Sequence, residues 1–181
     1  MLMNRIAKCA IGFAFLAAPA IAMAQTPSAP SPITVPDELK HMAFLAGSCW
    51  QGPFPDGKSI DSHCYKWFQR GRYLRERHEV IGSNPPYGGE TTFYWDHDAK
   101  AVKYIYWANN GGYATGSSII ENGAVKYPDE RYIGPDGEFS VRAEMKQIDD
   151  NSYTMRADMK GKDGKWVEFV NATYTRKPLN W

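Results

Sequence analysis

The 181-residue sequence lacks the short motifs that have a known mechanical reading. It contains no G-x-S-x-G elbow, no H-E-x-x-H pair, no C-x-x-C, no phosphate-cradling glycine loop and no EF-hand loop. Serine hydrolase, zincin, thioredoxin-like and nucleotide-binding chemistry are therefore set aside. Charge of one sign is lacking too. With 21 basic against 20 acidic side chains there is no net field to concentrate a polyanion or an anionic membrane surface, and no nucleic-acid partner is expected. Histidine and cysteine are scarce, at four and three residues. Beyond the N-terminus there is no long apolar run and no long helical pattern.

What is present begins with a targeting signal. Arg5 and Lys8 precede an apolar run from Ala10 to Ile21, followed by Ala22-Met23-Ala24 before Gln25. This order of charge, apolar core and small-residue site predicts a cleavable signal peptide over residues 1–24, cut after Ala24, of bacterial type. The apolar run is about a dozen residues where a span needs roughly 20, so no membrane span is expected in the mature form. A periplasmic or secreted location follows. Cys9 is lost with the signal, leaving Cys49 and Cys64 in a compartment where disulfides persist.

Residues 25–36, QTPSAPSPITVP, are a Pro- and Ser-rich leader too poor in large apolar groups to order itself. Residues 37–181 are read as a single domain, since roughly 157 mature residues suffice for one core. Leu39, Met42, Ala43 and Leu45 have helical spacing, which predicts a short N-terminal helix within Asp37–Ala46 that caps one end of the core.

From Gly47 onward the chain alternates short runs of about 8–12 residues with turn signals, including PDGK at 55–58, RG at 70–71, NG at 122–123 and KDGK at 162–165. Aromatics make up 14% of the chain, with 11 Tyr and 6 Trp, and favour pleated surfaces. The predicted fold class is all-β: an antiparallel up-and-down barrel of about ten strands, closed so as to leave no free edge.

Turn positions then fix which residues face each other. A turn centred between Asp56 and Gly57 sets Cys49 directly opposite Cys64, predicting a disulfide across the first hairpin. A turn centred between Arg70 and Gly71 adds the third strand. One face then holds Trp50, His63, Tyr65, Trp67, Leu74, Glu76 and His78. The other holds Cys49, Cys64, Lys66, Phe68, Tyr73, Arg75 and Arg77. The first, with fewer permanent charges, is the expected interior, and the disulfide lies outside. Around Asp163-Gly164, the residues Tyr153, Met155, Ala157 and Met159 are expected opposite Tyr174, Ala172, Val170 and Glu168.

The segment Phe44-Leu45-Ala46-Gly47-Ser48-Cys49-Trp50-Gln51-Gly52 resembles the opening of lipocalin-like, calycin-type exported bacterial barrels of unknown function, in which F-L-x-G-x-W leads from a short helix into the first strand. Here the spacing is G-x-x-W. The resemblance implies that Arg176, after the last strand, stacks on Trp50 and closes the barrel end. More distantly the opening is similar to that of nitrobindin-like haem barrels. That family takes its haem-ligating His from late in the chain, whereas no His follows His97 here, so haem is not expected.

The functional expectation is a barrel that binds a small apolar or amphipathic molecule. Its lumen would be lined by Trp50, Tyr65, Trp67, Trp95, Tyr104, Tyr106 and Met155, with His63, Glu76 and His78 holding the polar end. The alternatives are a lumenal acid/base enzyme of hydrolase or isomerase type using Glu76 and His78, and a partner-binding or structural module with a filled core. No cofactor is expected, neither haem nor a metal ion. The one set with metal-ligand chemistry is His63, Glu76 and His78. The first check is processing: intact mass of the exported protein should place its N-terminus at Gln25, and a chain still carrying residues 1–24 would contradict the signal.

Overall fold

The computed structural model describes residues 32–181; the expected signal peptide, residues 1–24, and most of the expected leader lie outside the described residues. Ten antiparallel strands close into a barrel: β1 (Ser48–Pro53), β2 (Ile60–Phe68), β3 (Tyr73–Ile81), β4 (Tyr87–Asp96), β5 (Ala101–Ala108), β6 (Tyr113–Glu121), β7 (Ala124–Gly134), β8 (Gly137–Asp149), β9 (Ser152–Lys160) and β10 (Trp166–Pro178). Each pairs with its sequence neighbour, and β1 pairs with β10 to complete the ring. Local turn chemistry produces this order. In the β1–β2 loop the Asp56 carboxylate accepts from the Lys58 and Ser59 amides, each at 2.8 Å, while Gly57 takes φ +69°. The β2–β3 connection holds Gln69, Arg70 and Gly71 all at positive φ.

The residues before β1 adopt a different helix from that expected. Asp37–Met42 is a 3-10 segment, followed by turns to Gly47. Leu39, Met42 and Leu45 recur every three residues, which is the 3-10 repeat, and all three are completely buried. Together with Trp50, Tyr153 and Tyr174 they fill the end of the barrel where β1 begins. Trp50 packs edge-on against Tyr153 at 5.1 Å and donates its indole N–H to Leu45 O at 3.0 Å. Arg176 lies opposite Trp50 in the β1–β10 register, with its guanidinium carbon 4.4 Å from the Trp50 ring centroid. It also donates to Ser48 Oγ and to the Phe44 and Asp150 carbonyls. Arg176 performs this closure from within β10, not from a tail beyond it.

The first two hairpins have the predicted registers, with Cys49 opposite Cys64 and Trp50, His63 and His78 in one row. The disulfide forms on the outer face, yet it is not at the surface. Cys49 and Cys64 are buried because the C-terminal residues fold back over them, and Asn180 Oδ1 sits 3.1 and 3.4 Å from the two sulfurs. The β9–β10 register departs from expectation at one point. Tyr153, Met155 and Ala157 face Tyr174, Ala172 and Val170, but a bulge between Glu168 and Val170 sets Met159 opposite Val167 and turns Glu168 outward. There Glu168 pairs with Arg156 at 2.7 Å. Among the described residues no helix is long and apolar enough to cross a membrane.

The bridge closes a loop of 15 residues' separation. Replacing both Cys49 and Cys64 by Ala should therefore lower stability by about 3 kcal/mol in urea unfolding, with the barrel's circular dichroism retained. An unchanged midpoint would refute the stapling role.

Candidate functional site

At the opposite end from the Trp50 plug, the inward residues of β2 and β3 are ionisable. Asp61 and His63 lie two apart on β2 and so share a face, and His78 lies directly across from His63 on β3. The two imidazoles are parallel, with centroids 4.6 Å apart and planes within 6°. Asp61 accepts from His78 Nε2 at 2.7 Å and from the Tyr174 hydroxyl at 2.5 Å. On the other side of His63, Nδ1 donates to Glu76 Oε1 at 2.5 Å, and the second Glu76 oxygen accepts from the Thr91 hydroxyl. His78 Nδ1 accepts from the Tyr106 hydroxyl at 3.2 Å. The result is a continuous line: Thr91, Glu76, His63, Asp61, His78, Tyr106.

One contact in that line is imperfect. His63 Nε2 lies 3.2 Å from Asp61 Oδ2, close enough for an ion pair, but the approach makes no hydrogen bond, and Nε2 is buried without another partner among the described residues. The His78–Tyr106 contact depends on a missing side chain. Gly89 is opposite His78, and a Cβ there would lie 2.5 Å from the Tyr106 ring and 2.3 Å from Trp107 O. Glycine leaves the space into which the tyrosine leans.

Electrostatics follow from burial and pairing. Burial opposes charge on His63, but the Asp61 and Glu76 carboxylates flanking it outweigh that and push its pKa up to about 10. Burial likewise opposes ionisation of Asp61 and Glu76. The imidazoles nevertheless hold Asp61 well below the usual carboxylate range and lower Glu76 as well. Two carboxylates thus flank the His63 ring, and no Lys or Arg pairs with either acid among the described residues.

Beside this line is a cavity of about 200 Å³. Its polar wall is His63, Glu76, His78, Tyr87, Thr91, Tyr106 and Glu130; its apolar wall includes Phe93, Ala143, Met145 and Met155, with Tyr65, Tyr104 and Tyr127 between. Of the residues expected to line the lumen, His63, Tyr65, Glu76, His78, Tyr104, Tyr106 and Met155 do so. Trp50, Trp67 and Trp95 do not, because the strands run on past the cavity to the plugged end, where Trp50 is fully buried and the other two pack against the core. The metal-ligand set also changes. Asp61, His63 and His78 are the three whose donor atoms lie within 4.8 Å of one another, whereas Glu76 stands behind His63 on its Nδ1 side.

Asp61 was readable as a lumenal residue from the period-two alternation that places His63. Glu130 was not. In β7 Val125 and Tyr127 face inward, then the register shifts across Pro128 and Asp129, and Glu130 and Tyr132 face inward instead. Asp129 is turned out to accept from the Ser117 amide and hydroxyl at 2.8 and 2.7 Å. The Glu130 carboxyl group accepts from the Tyr104 hydroxyl at 2.9 Å. Its desolvation raises its pKa, and the nearby Glu76 charge adds to the shift against the lowering effect of Tyr104.

A carboxyl group whose pKa is raised on folding binds protons more readily in the folded chain. Its ionisation therefore costs stability as pH rises above the unfolded value near 4.5, and no penalty exists below it. Glu130→Gln should raise the melting temperature at pH 7 and leave it unchanged near pH 4. A loss at pH 7 would show the charge to be stabilising instead.

A family model described as a protein of unknown function, DUF1579, matches residues 55–176. No curated protein matches the chain. The crystal structure of Rv2717c from M. tuberculosis superposes with a TM-score of 0.53 at 10% sequence identity, covering 80% of this chain and 99% of that one, which is a likeness of fold alone. The overall fold thus has a counterpart among solved structures, and by its sequence the chain belongs to the DUF1579 family of proteins of unknown function.

Proposed function

We propose that this protein is an exported barrel that binds a small, largely apolar molecule with one polar, hydrogen-bond-donating end. The observation that carries this reading is the two-sided cavity: an apolar wall of Phe93, Ala143, Met145 and Met155 faces a polar wall of His78, Tyr106 and Glu130. Its size sets the ligand class. An apolar cavity of about 150 Å³ holds benzene, so about 200 Å³ suits one ring with a short substituent and not a long acyl chain. Its charge sets the polar end. The lining carries the Glu76 and Glu130 carboxyl groups and no Lys or Arg, so the wall disfavours anions and accepts hydroxyl or amine donors. Tyr127, which lines the cavity, has a buried hydroxyl with no partner among the described residues and offers one further contact. An open lumen of this size favours binding over a purely structural, filled core. A disulfide within the fold suits the oxidising compartment that the N-terminal sequence predicts.

A second reading, acid/base chemistry, is favoured at one residue only. Both Glu76 oxygens are engaged, by His63 and Thr91, whereas His78 is oriented by Asp61 at Nε2 and reaches the cavity wall beside Tyr106. A lumenal base would be His78, with Asp61 as its orienting residue.

Binding is tested by thermal shift on chelator-treated protein with a panel of phenols, aromatic amines and benzoates. A matching phenol or amine at about 100 times its Kd should add about 2.7 kcal/mol, a shift of roughly 5–11 °C, while benzoates give none. Ala143→Phe, which fills the cavity, should abolish the shift. A flat response across the panel, or preference for benzoates, would sink the proposal.

A further inference from the structure

We propose that Asp61, His63 and His78 form a binding site for one divalent transition-metal ion beside the cavity, with Glu76, Tyr106 and Tyr174 as the residues that orient those ligands. The inference stands on this cluster alone and does not require an organic ligand in the cavity.

The donor set has the right chemistry. Two imidazole nitrogens and one carboxylate oxygen on adjacent strands suit zinc, or iron or manganese with open positions. Ligand bonds of about 2.0–2.2 Å put ligand atoms roughly 3.3–3.6 Å apart around a tetrahedral ion. The Asp61 oxygens already lie 2.7 Å from His78 Nε2 and 3.2 Å from His63 Nε2. All three donors converge within 4.8 Å, so a modest tilt of the parallel rings brings both nitrogen lone pairs onto one point.

The supporting contacts are more specific than the ligand set. A metal-binding histidine holds its other ring nitrogen with a carboxylate, carbonyl or hydroxyl, which fixes the tautomer and aims the lone pair. Here both do. His63 Nδ1 is held by Glu76, itself anchored by Thr91, and His78 Nδ1 is held by Tyr106. The carboxylate is held as well, since Tyr174 donates to Asp61. Each histidine therefore has a partner on the side away from the convergence point, and Asp61 is held through Oδ2, the oxygen that also approaches His63 Nε2. At that point one buried atom, His63 Nε2, has no hydrogen-bond partner. A buried polar atom in this position costs free energy unless something binds it. A proton between the flanking carboxylates meets part of that need, and a metal ion bonded to Nε2 meets all of it. Because the cluster borders the cavity, an ion held by three protein groups keeps at least one position facing the lumen.

The test uses the mature chain, stripped with chelator and desalted, then titrated with cobalt(II) and competed with zinc(II). One equivalent of cobalt per chain should bind with visible d–d absorption, and one equivalent of zinc should bleach it. His78→Asn removes a ligand while leaving the Asp61–Tyr174 and His63–Glu76 contacts in place, and should abolish the spectrum. Glu76→Gln should keep the stoichiometry but weaken affinity 10–100-fold. His97→Asn, at an exposed turn, should behave as wild type. Circular dichroism of each variant separates loss of the site from loss of fold. No cobalt spectrum in the wild type, or an unaltered spectrum in folded His78→Asn, would overturn the site. Ala143→Phe should lose phenol binding yet keep the cobalt spectrum, so failure of the cavity reading and failure of the metal site give different results.

Discussion

The arrangement of everything functional depends on the antiparallel register of the first three strands. Because side chains alternate with a period of two, a slip of one residue would send His63, Glu76 and His78 outward and bring Arg75 and Arg77 into the lumen. Three separate features oppose that slip. The disulfide links Cys49 to Cys64 across one pair of strands, Asp56 caps the first turn, and a run of positive-φ residues at Gln69–Gly71 fixes the second. A covalent bond on the outer face thereby sets which ionisable groups share the inner one. The folding back of Asn180 over the sulfurs shields the bond from solvent.

Within that frame the barrel divides its lumen by chemistry. At one end aromatic and aliphatic groups pack together: Tyr153 and Tyr174 stack with planes within 2°, Trp50 meets Tyr153 edge-on, and Arg176 covers the indole. At the other end four ionisable side chains from two adjacent strands are buried together. Such a cluster is a poor source of stability, since taking ions out of water costs about as much as their attraction returns, and apolar replacements are often more stable. Tyr174 links the two regions. Its ring belongs to the aromatic stack and its hydroxyl donates to Asp61, so the packed end positions the carboxylate at the ionisable end. Plug and site are mechanically one unit.

The sequence made the strand order, the first two registers and the disulfide legible because two-residue turn signals and alternation are local rules. Seven of the ten expected lumenal residues line the cavity for the same reason. The rest failed where a local rule meets a three-dimensional fact. Trp50 shares a row with His63 and His78, but its indole turns toward Leu45 and the plug, and pairing arithmetic carries no information about that direction. Trp67 and Trp95 alternate inward correctly but lie beyond the cavity's floor. Glu130 was hidden by the break at Pro128–Asp129, which reverses the inward parity of β7, and no turn signal marks a bulge inside a strand. Thr91 and Phe93 follow the long connection after β3, whose length leaves the β3–β4 register unspecified. Asp61 was absent from the expected lumenal residues, although alternation from His63 puts it on the same inner face.

Asp61 also changes how the site should be understood. With Glu76 as the third group, the two imidazoles and a carboxylate would form a row facing the lumen, open to a substrate and to acid/base exchange. With Asp61 between the imidazole Nε2 atoms, the two carboxylates instead bracket His63, one on each ring nitrogen. Without a metal ion, a bracketed imidazolium gives up its proton reluctantly, so His63 is unsuited to acid/base exchange with a substrate near neutral pH, and a metal ion at Nε2 takes the place of that proton. The carboxylates select a cation at that point, and the geometry decides its kind. A proton on Nε2 gains an ion pair with Asp61 but no aligned hydrogen bond, whereas an ion with bonding directions toward three donors uses every contact the surrounding residues prepare. The cavity beside it is then more than leftover space. Its apolar wall excludes water from one side of a charged centre, which strengthens any interaction that centre makes with a bound molecule.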